Sequence, residues 1–231
     1  VNRALEALEQ TAEKGDRIYK WKSSLGQDKG IGYNICLSHG MSSIVSVLSL
    51  LESEGINRER RDRIIRHTCN YILSQEIDHV KYGAFFPSQS LENNPGDDNH
   101  YSRLAWCYGD LGVATSLWQA GKALHNREWQ EKALEVLRFS TSRRDFRNAG
   151  VIDAGLCHGA ASVCMMFHYA YRQTGEKLFE EVRDYWFDVT LNIGSRKEGL
   201  AGYSAWHMAE YGGWVKEYGL LEGISGIGLL L

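Results

Sequence analysis

The sequence predicts an all-α protein built as an α/α toroid, and three observations carry the prediction. Helical hydrophobic periodicity recurs along most of the chain, the helical segments alternate between two charge patterns, and one short glycine signature precedes every second segment. Only two prolines, Pro87 and Pro95, occur among 231 residues; both fall in one stretch, so none breaks a periodic segment.

The first kind of segment is amphipathic and should lie half buried. Residues 1–13 place Val1, Leu5, Leu8 and Ala12 on one face. Residues 58–75 do the same with Ile64, Ile65, Thr68 and Ile72, while Arg58, Arg61, Arg63 and Arg66 populate the rest. The pattern returns in 127–143 through Trp129, Ala133, Leu134 and Leu137, and in 176–193 through Phe179, Val182, Trp186, Val189 and Ile193.

The second kind, 41–51, 111–121, 160–171 and 223–231, carries almost no charge, and a helix without a polar face must be covered all round. Each follows a similar signature: Ser38-His39-Gly40, Cys107-Tyr108-Gly109, Cys157-His158-Gly159 and Leu221-Glu222-Gly223. Three positions beyond each glycine stands a small residue, Ser43, Gly112, Ser162 or Gly226, which should let neighbouring helices approach closely. The signature glycines are 69, 50 and 64 residues apart, so the repeat tolerates loops of variable length.

Four outer-plus-inner pairs follow, within a single domain spanning 1–231. With charge-free helices inside and amphipathic ones outside, the inner helices run parallel and their N-termini share one face. The loops entering that face, 22–39, 76–106, 144–156 and 194–221, are where polar chemistry should gather. About four hairpins leave such a ring incomplete. The start at Val1 and the apolar run Gly228–Leu231 both read as cut ends.

Composition narrows the function. Twenty-six Lys+Arg against 29 Asp+Glu give a net charge of −3, which argues against nucleic acid as the main ligand. No apolar run approaches the roughly 18 residues of a membrane span, and residues 1–20 lack the apolar block of a signal peptide; an integral membrane protein is excluded and a cytoplasmic one expected. Five cysteines, an odd number spread over a long chain, should be reduced thiols.

Cys107 and Cys157 occupy equivalent places in two repeats, just before helix starts, where the helix end favours thiolate, and His158 follows directly. Two sulfurs and an imidazole at one mouth make the Cys₂His set of a catalytic zinc site with one open position. A cysteine beside an apolar helix is also an ordinary small buried side chain, the reading given to Cys36, Cys69 and Cys164. Spacing alone, without a CxxC, leaves both readings standing. Zinc held by two thiolates is a weak Lewis acid, suited to binding a further thiol and keeping its sulfur nucleophilic. The aromatic residues Trp206, Tyr211, Trp214 and Tyr218 could receive an apolar peptide or pack between hairpins, and they stay outside the site.

The motifs SHG at 38–40, WCYGD at 106–110, LCHG at 156–159 and EGISGIG at 222–228 resemble, in order, those of the lanthionine synthetase C-like family, the lantibiotic cyclases. The similarity spans the chain, which corresponds to the C-terminal part of a longer member. The resemblance implies an α/α toroid of seven hairpins, with zinc on the residues matching Cys107, Cys157 and His158. It implies addition of peptide cysteine thiolates across dehydroalanine or dehydrobutyrine to close (methyl)lanthionine thioether rings. By the same match, His39 is the acid that protonates Cα, Arg103 stabilises enolate charge, and Tyr108 positions the acid or the substrate. The implied partners are a dehydrated precursor peptide and, in a biosynthetic complex that can hold the protein peripherally at a membrane, a dehydratase and a transporter. The family also uses a carboxylate upstream of the SHG-type histidine, in a portion with no counterpart in this chain. An alternative within the resemblance is a zinc- and glutathione-binding protein of the eukaryotic LanC-like kind, without peptide cyclase activity. Glycosidases and terpenoid cyclases share the toroid but present carboxylates where this chain offers sulfur and imidazole.

Overall fold

The computed structural model describes residues 1–23, 32–51, 55–93, 95, 96, 98, 100, 102–194 and 199–231. Parts of three expected loops, 24–31, 94, 97, 99, 101 and 195–198, lie outside the described residues. The chain forms two compact units, Val1–Ser102 with Tyr108–Val136, and Arg103–Cys107 with Leu137–Leu231.

The first unit opens with α1 (Asn2–Thr11), which buries Leu5, followed by the antiparallel hairpins β1 (Glu13–Gly15) with β2 (Ile18–Lys20) and β3 (Lys22–Ser23) with β4 (Gly32–Tyr33). Helices α2 (Met41–Leu50), α3 (Arg58–Leu73) and α5 (Asp110–Ala123) form its body, with the single turn α4 (His79–Tyr82) between the last two. Asn57 starts α3 by accepting the Arg60 N–H at 3.0 Å. On α3, Ile64, Ile65, Thr68 and Ile72 are buried as the periodicity requires. Arg61 departs from expectation: it is buried, because its guanidinium meets Asp62 at 2.8 Å and donates to the Leu51 carbonyl at 3.3 Å. Helix α5 is covered through residues 110–117. Its first residue, Asp110, is fully buried, and its carboxylate accepts the N–H groups of Phe85 (3.1 Å) and Phe86 (2.9 Å). The final letter of WCYGD therefore ties a loop to a helix start.

Helix α6 (Arg127–Ser140) passes from the first unit into the second, burying Trp129, Ala133, Val136 and Leu137 while Leu134 is only half buried. The second unit continues with α7 (Phe146–Ala149), α8 (Ala160–Thr174), α9 (Lys177–Ile193), the hairpin β5 (Ala205–Trp206) and β6 (Trp214–Val215), a 3₁₀ turn Ala209–Tyr211 within that hairpin, and α10 (Ile224–Leu230). Helices α8 and α9 pack through Phe167 and Phe179, ring centroids 6.0 Å apart, with Val182 and Trp186 also buried. Burying each such side chain contributes about 1.5–3 kcal/mol against conformational entropy.

The requirement that charge-free helices be covered all round holds for α5 and fails elsewhere. Val47 and Leu50 on α2, Met165 on α8 and Leu229 on α10 are exposed. The three short strand pairs among the described residues leave no periodic signal, since strands of two or three residues are too brief to show alternation.

Three of the four signature glycines share a physical reason. Met41 N–H donates to the Asn34 carbonyl (2.9 Å) and Gly40 N–H to Cys36 (3.2 Å). Ala160 and Gly159 repeat this with Asp153 (2.9 Å) and Gly155 (2.9 Å), as do Ile224 and Gly223 with Glu217 (3.0 Å) and Gly219 (3.1 Å). In each closed turn the glycine lies against backbone: a Cβ would come within 2.3 Å of Asn34 O at Gly40, 2.2 Å of Gly155 N at Gly159 and 2.5 Å of Glu217 O at Gly223. Gly109 has a different reason, a φ of 84° that side chains disfavour.

Candidate metal centre

Cys157 and His158 stand directly before Gly159, the N-cap of α8, and their loop is held from three sides. Cys157 N–H donates to the Leu221 carbonyl at 2.7 Å. Ser162 Oγ, one turn into α8, donates to the Cys157 carbonyl at 3.0 Å and accepts the Trp106 N–H at 2.7 Å, tying the segment that carries Cys107 to the one that carries Cys157. Buried Asp153 contributes the third anchor: Oδ1 accepts Gly155 N–H at 2.9 Å and Oδ2 accepts Trp206 N–H at 2.8 Å. The Leu104 N–H, bonded to the Ala149 carbonyl at 2.7 Å, fixes the approach to Cys107.

These anchors bring Cys107 Sγ, Cys157 Sγ and a His158 ring nitrogen within 4.8 Å of one another. All three belong to the second unit, as does Arg103. Cys107 is buried, and Cys157 and His158 are half buried. Two soft sulfur donors and one imidazole at that spacing fit zinc, which takes the same ligands at about 2.0–2.3 Å. The Cys157 thiol is pushed up by its hydrogen bond with Cys107 and by burial, against the opposing influence of His158. The neighbouring sulfur thus acts on Cys157 in the opposite sense to the helix end. His158 is raised by its hydrogen bond with Cys157, which outweighs burial and the nearby Arg103.

His158 and Arg103 line one cavity of about 560 Å³ together with Ile152, Trp206, Met208 and Tyr211. His207 and Glu222 also face it, His207 Nε2 lying 3.0 Å from Glu222 Oε2 without the alignment of a hydrogen bond, and 3.9 Å from Glu217 Oε1. The sequence singles out neither His207 nor Asp153, and Ser162 only as a small residue that lets helices approach. Asp153 could have been, because it stands six residues before its signature glycine, as Asn34, Arg103 and Glu217 do before theirs.

His39 and Tyr108 belong to the first unit. His39 is exposed, and its ring meets that of Tyr108 edge-on with centroids 6.0 Å apart. Its backbone is fixed by Cys36, whose sulfur accepts the His39 N–H at 3.3 Å and lies 3.3 Å from Ser38 Oγ. Cys36, Cys69 and Cys164 are buried, as expected of small core side chains; burial pushes the Cys164 thiol up to about 12. No helix among the described residues is long and apolar enough to cross a membrane.

Nisin biosynthesis protein NisC of Lactococcus lactis subsp. lactis is 23% identical over 202 residues, covering 86% of this chain and 44% of its own. The structure is similar to that of nisin cyclase, an α/α toroid, with a TM-score of 0.62 and 20% identity over 86% of this chain and 46% of that one. The chain thus spans less than half the length of these relatives. The family model of the lanthionine synthetase C-like proteins matches residues 1–231 from end to end, and the chain belongs to that family.

Proposed function

We propose that this chain carries the zinc-dependent chemistry of a lantibiotic cyclase, adding peptide cysteine thiolates to dehydroalanine or dehydrobutyrine. Both compact units are read as parts of one such domain. The observation that supports this most is the convergence of Cys107, Cys157 and His158 within 4.8 Å, in the order and motifs of the family.

Zinc bound there would acidify a substrate thiol that takes its open position. The chain's own residues do the remaining work. Cys107, Cys157 and His158 would hold the ion, with Asp153 and Ser162 fixing the loops that present them. The sulfur forms a bond to the β-carbon of the dehydro residue, and the alkene electron pair moves toward the adjacent carbonyl. Arg103, in the cavity shared with His158, places a guanidinium where that negative charge develops. His39 delivers a proton to Cα, and Tyr108 keeps its imidazole oriented. The substrate is a dehydrated precursor peptide; a dehydratase and a transporter are further partners, and the setting is the cytoplasm.

The test is to incubate the zinc-loaded protein with a dehydrated peptide bearing free cysteines and count thiols still open to alkylation. Thiols should disappear with wild type and persist with His39→Ala, which should retain zinc. Unchanged thiol counts with zinc-loaded wild type would replace the cyclase reading with that of a thiol-binding protein.

A further inference from the structure

The hairpin β5–β6 raises large apolar side chains over the cavity that holds His158. Met208 is 60% exposed and Tyr211 67%, and for Tyr211 this departs from packing between hairpins, one of the two readings the sequence left open. Keeping them in water costs free energy, and with Ile152 and Trp206 they give the cavity an apolar part beside Arg103, His158, His207 and Glu222, the mixed lining of a ligand site. The platform is stiff. Trp206 and Trp214 pair across the strands with ring centroids 5.3 Å apart, and His207 N–H donates to the Gly213 carbonyl at 2.8 Å. Asp153 Oδ2 ties Trp206 N–H directly to the metal-ligand loop.

We propose that Ile152, Trp206, Met208 and Tyr211 form a side-chain subsite that selects a bulky apolar residue directly adjoining the reacting cysteine of the substrate peptide. The proposal rests on the cyclase reading for the word substrate. Successive Cα atoms lie about 3.8 Å apart, so where the peptide backbone turns at a cysteine directed at the His158 centre, rather than running extended with its side chains on alternate faces, the neighbouring side chain reaches the same cavity. A volume of about 560 Å³ leaves room for that side chain as well as the thiol. Of the charged groups at the cavity, Glu222 opposes Arg103, and residues 199–222 add Glu210 and Glu217 against Lys216, a balance that gives an anionic side chain no net attraction. Met208 supplies an adaptable contact and Tyr211 a rigid one, suited to accepting several apolar side chains in turn.

The experiment separates binding from ring closure. Capped peptides Gly-X-Cys-Gly-Gly, with no dehydro residue and X as Phe, Leu, Gly or Asp, are titrated calorimetrically into the zinc-loaded protein. The Phe and Leu peptides should bind about tenfold tighter than the Gly peptide, with Asp weakest, a margin typical of one side chain filling an apolar pocket. Met208→Ala combined with Tyr211→Ala should erase the margin while leaving affinity for the Gly peptide unchanged. A margin that survives the double substitution, a preference for Asp, or no measurable binding of any peptide overturns the subsite. In Cys107→Ala the margin between Phe and Gly should persist although overall affinity falls. Loss of ring closure with the margin intact therefore rejects the cyclase reading alone, and ring closure without any margin rejects the subsite alone.

Discussion

The Ser162 hydroxyl donates to the Cys157 carbonyl at 3.0 Å while its oxygen receives the Trp106 N–H at 2.7 Å, so one small side chain joins both sulfur-bearing loops. A signature read as spacing for helix approach also supplies a hydrogen-bond hub. Ser162→Ala removes both bonds and leaves the Trp106 N–H without its acceptor, which should cost about 1–3 kcal/mol. Chemical denaturation measures that loss, and chelator challenge should show faster zinc release than wild type. Equal stability and equal release rates would mean the hub does not govern the centre.

Zinc content is the most direct check on the metal centre. About one zinc per chain is expected by elemental analysis, falling to background in Cys107→Ala, Cys157→Ala and His158→Ala, because two remaining ligands seldom hold the ion against buffer. Folded wild-type protein without metal after growth in zinc would end the assignment.

Asp153 uses both carboxylate oxygens on backbone N–H groups, at Gly155 and Trp206. In Asp153→Asn, one of those N–H groups faces an NH₂ donor, leaving a buried donor unpaired at a cost of about 1–3 kcal/mol. Melting temperature should fall, and near-ultraviolet dichroism should report a displaced Trp206. An unchanged spectrum and melt would show that the carboxylate is dispensable.

The glycines offer a paired control. Gly159→Ala forces a Cβ to 2.2 Å from Gly155 N and should destabilise by the upper end of about 1–3 kcal/mol or more. Gly228→Ala, on α10 with nothing within 4 Å, should be neutral or stabilising by up to about 1 kcal/mol. Similar denaturation midpoints for the two variants would refute the close-approach argument.

Glu9 on α1 is bridged by Arg60 and Arg63 of α3, each at 2.8 Å. Burial would raise its carboxyl, but the hydrogen bonds from Arg63 and Arg60 outweigh burial and hold it below the ordinary range. A depressed folded pKa means stability that is present above the unfolded value of about 4.3 and is lost as pH falls through the folded one. The bridge is partly solvated, so its share is at most about 1 kcal/mol. Glu9→Gln should lower the melting temperature at pH 7 and leave it unchanged at pH 2. An equal deficit at both pH values would assign the effect to packing.

The sequence by itself determined the helices, because periodicity, charge distribution and signature glycines are local and survive without knowledge of the fold. It also singled out Cys107 and Cys157 at equivalent places in a repeat, with His158 beside the second, and the structure brings the three together within 4.8 Å. Only the tertiary structure decided that Asp153 and Ser162 brace those ligands, that Arg61 is buried, and that Met208 and Tyr211 overhang the cavity with His158. Each of these depends on partners distant in sequence: Trp206 lies 53 residues from Asp153 and Trp106 lies 56 from Ser162. A hydrogen bond across such a gap leaves no period to read, because chain folding, not local preference, brings its donor to its acceptor.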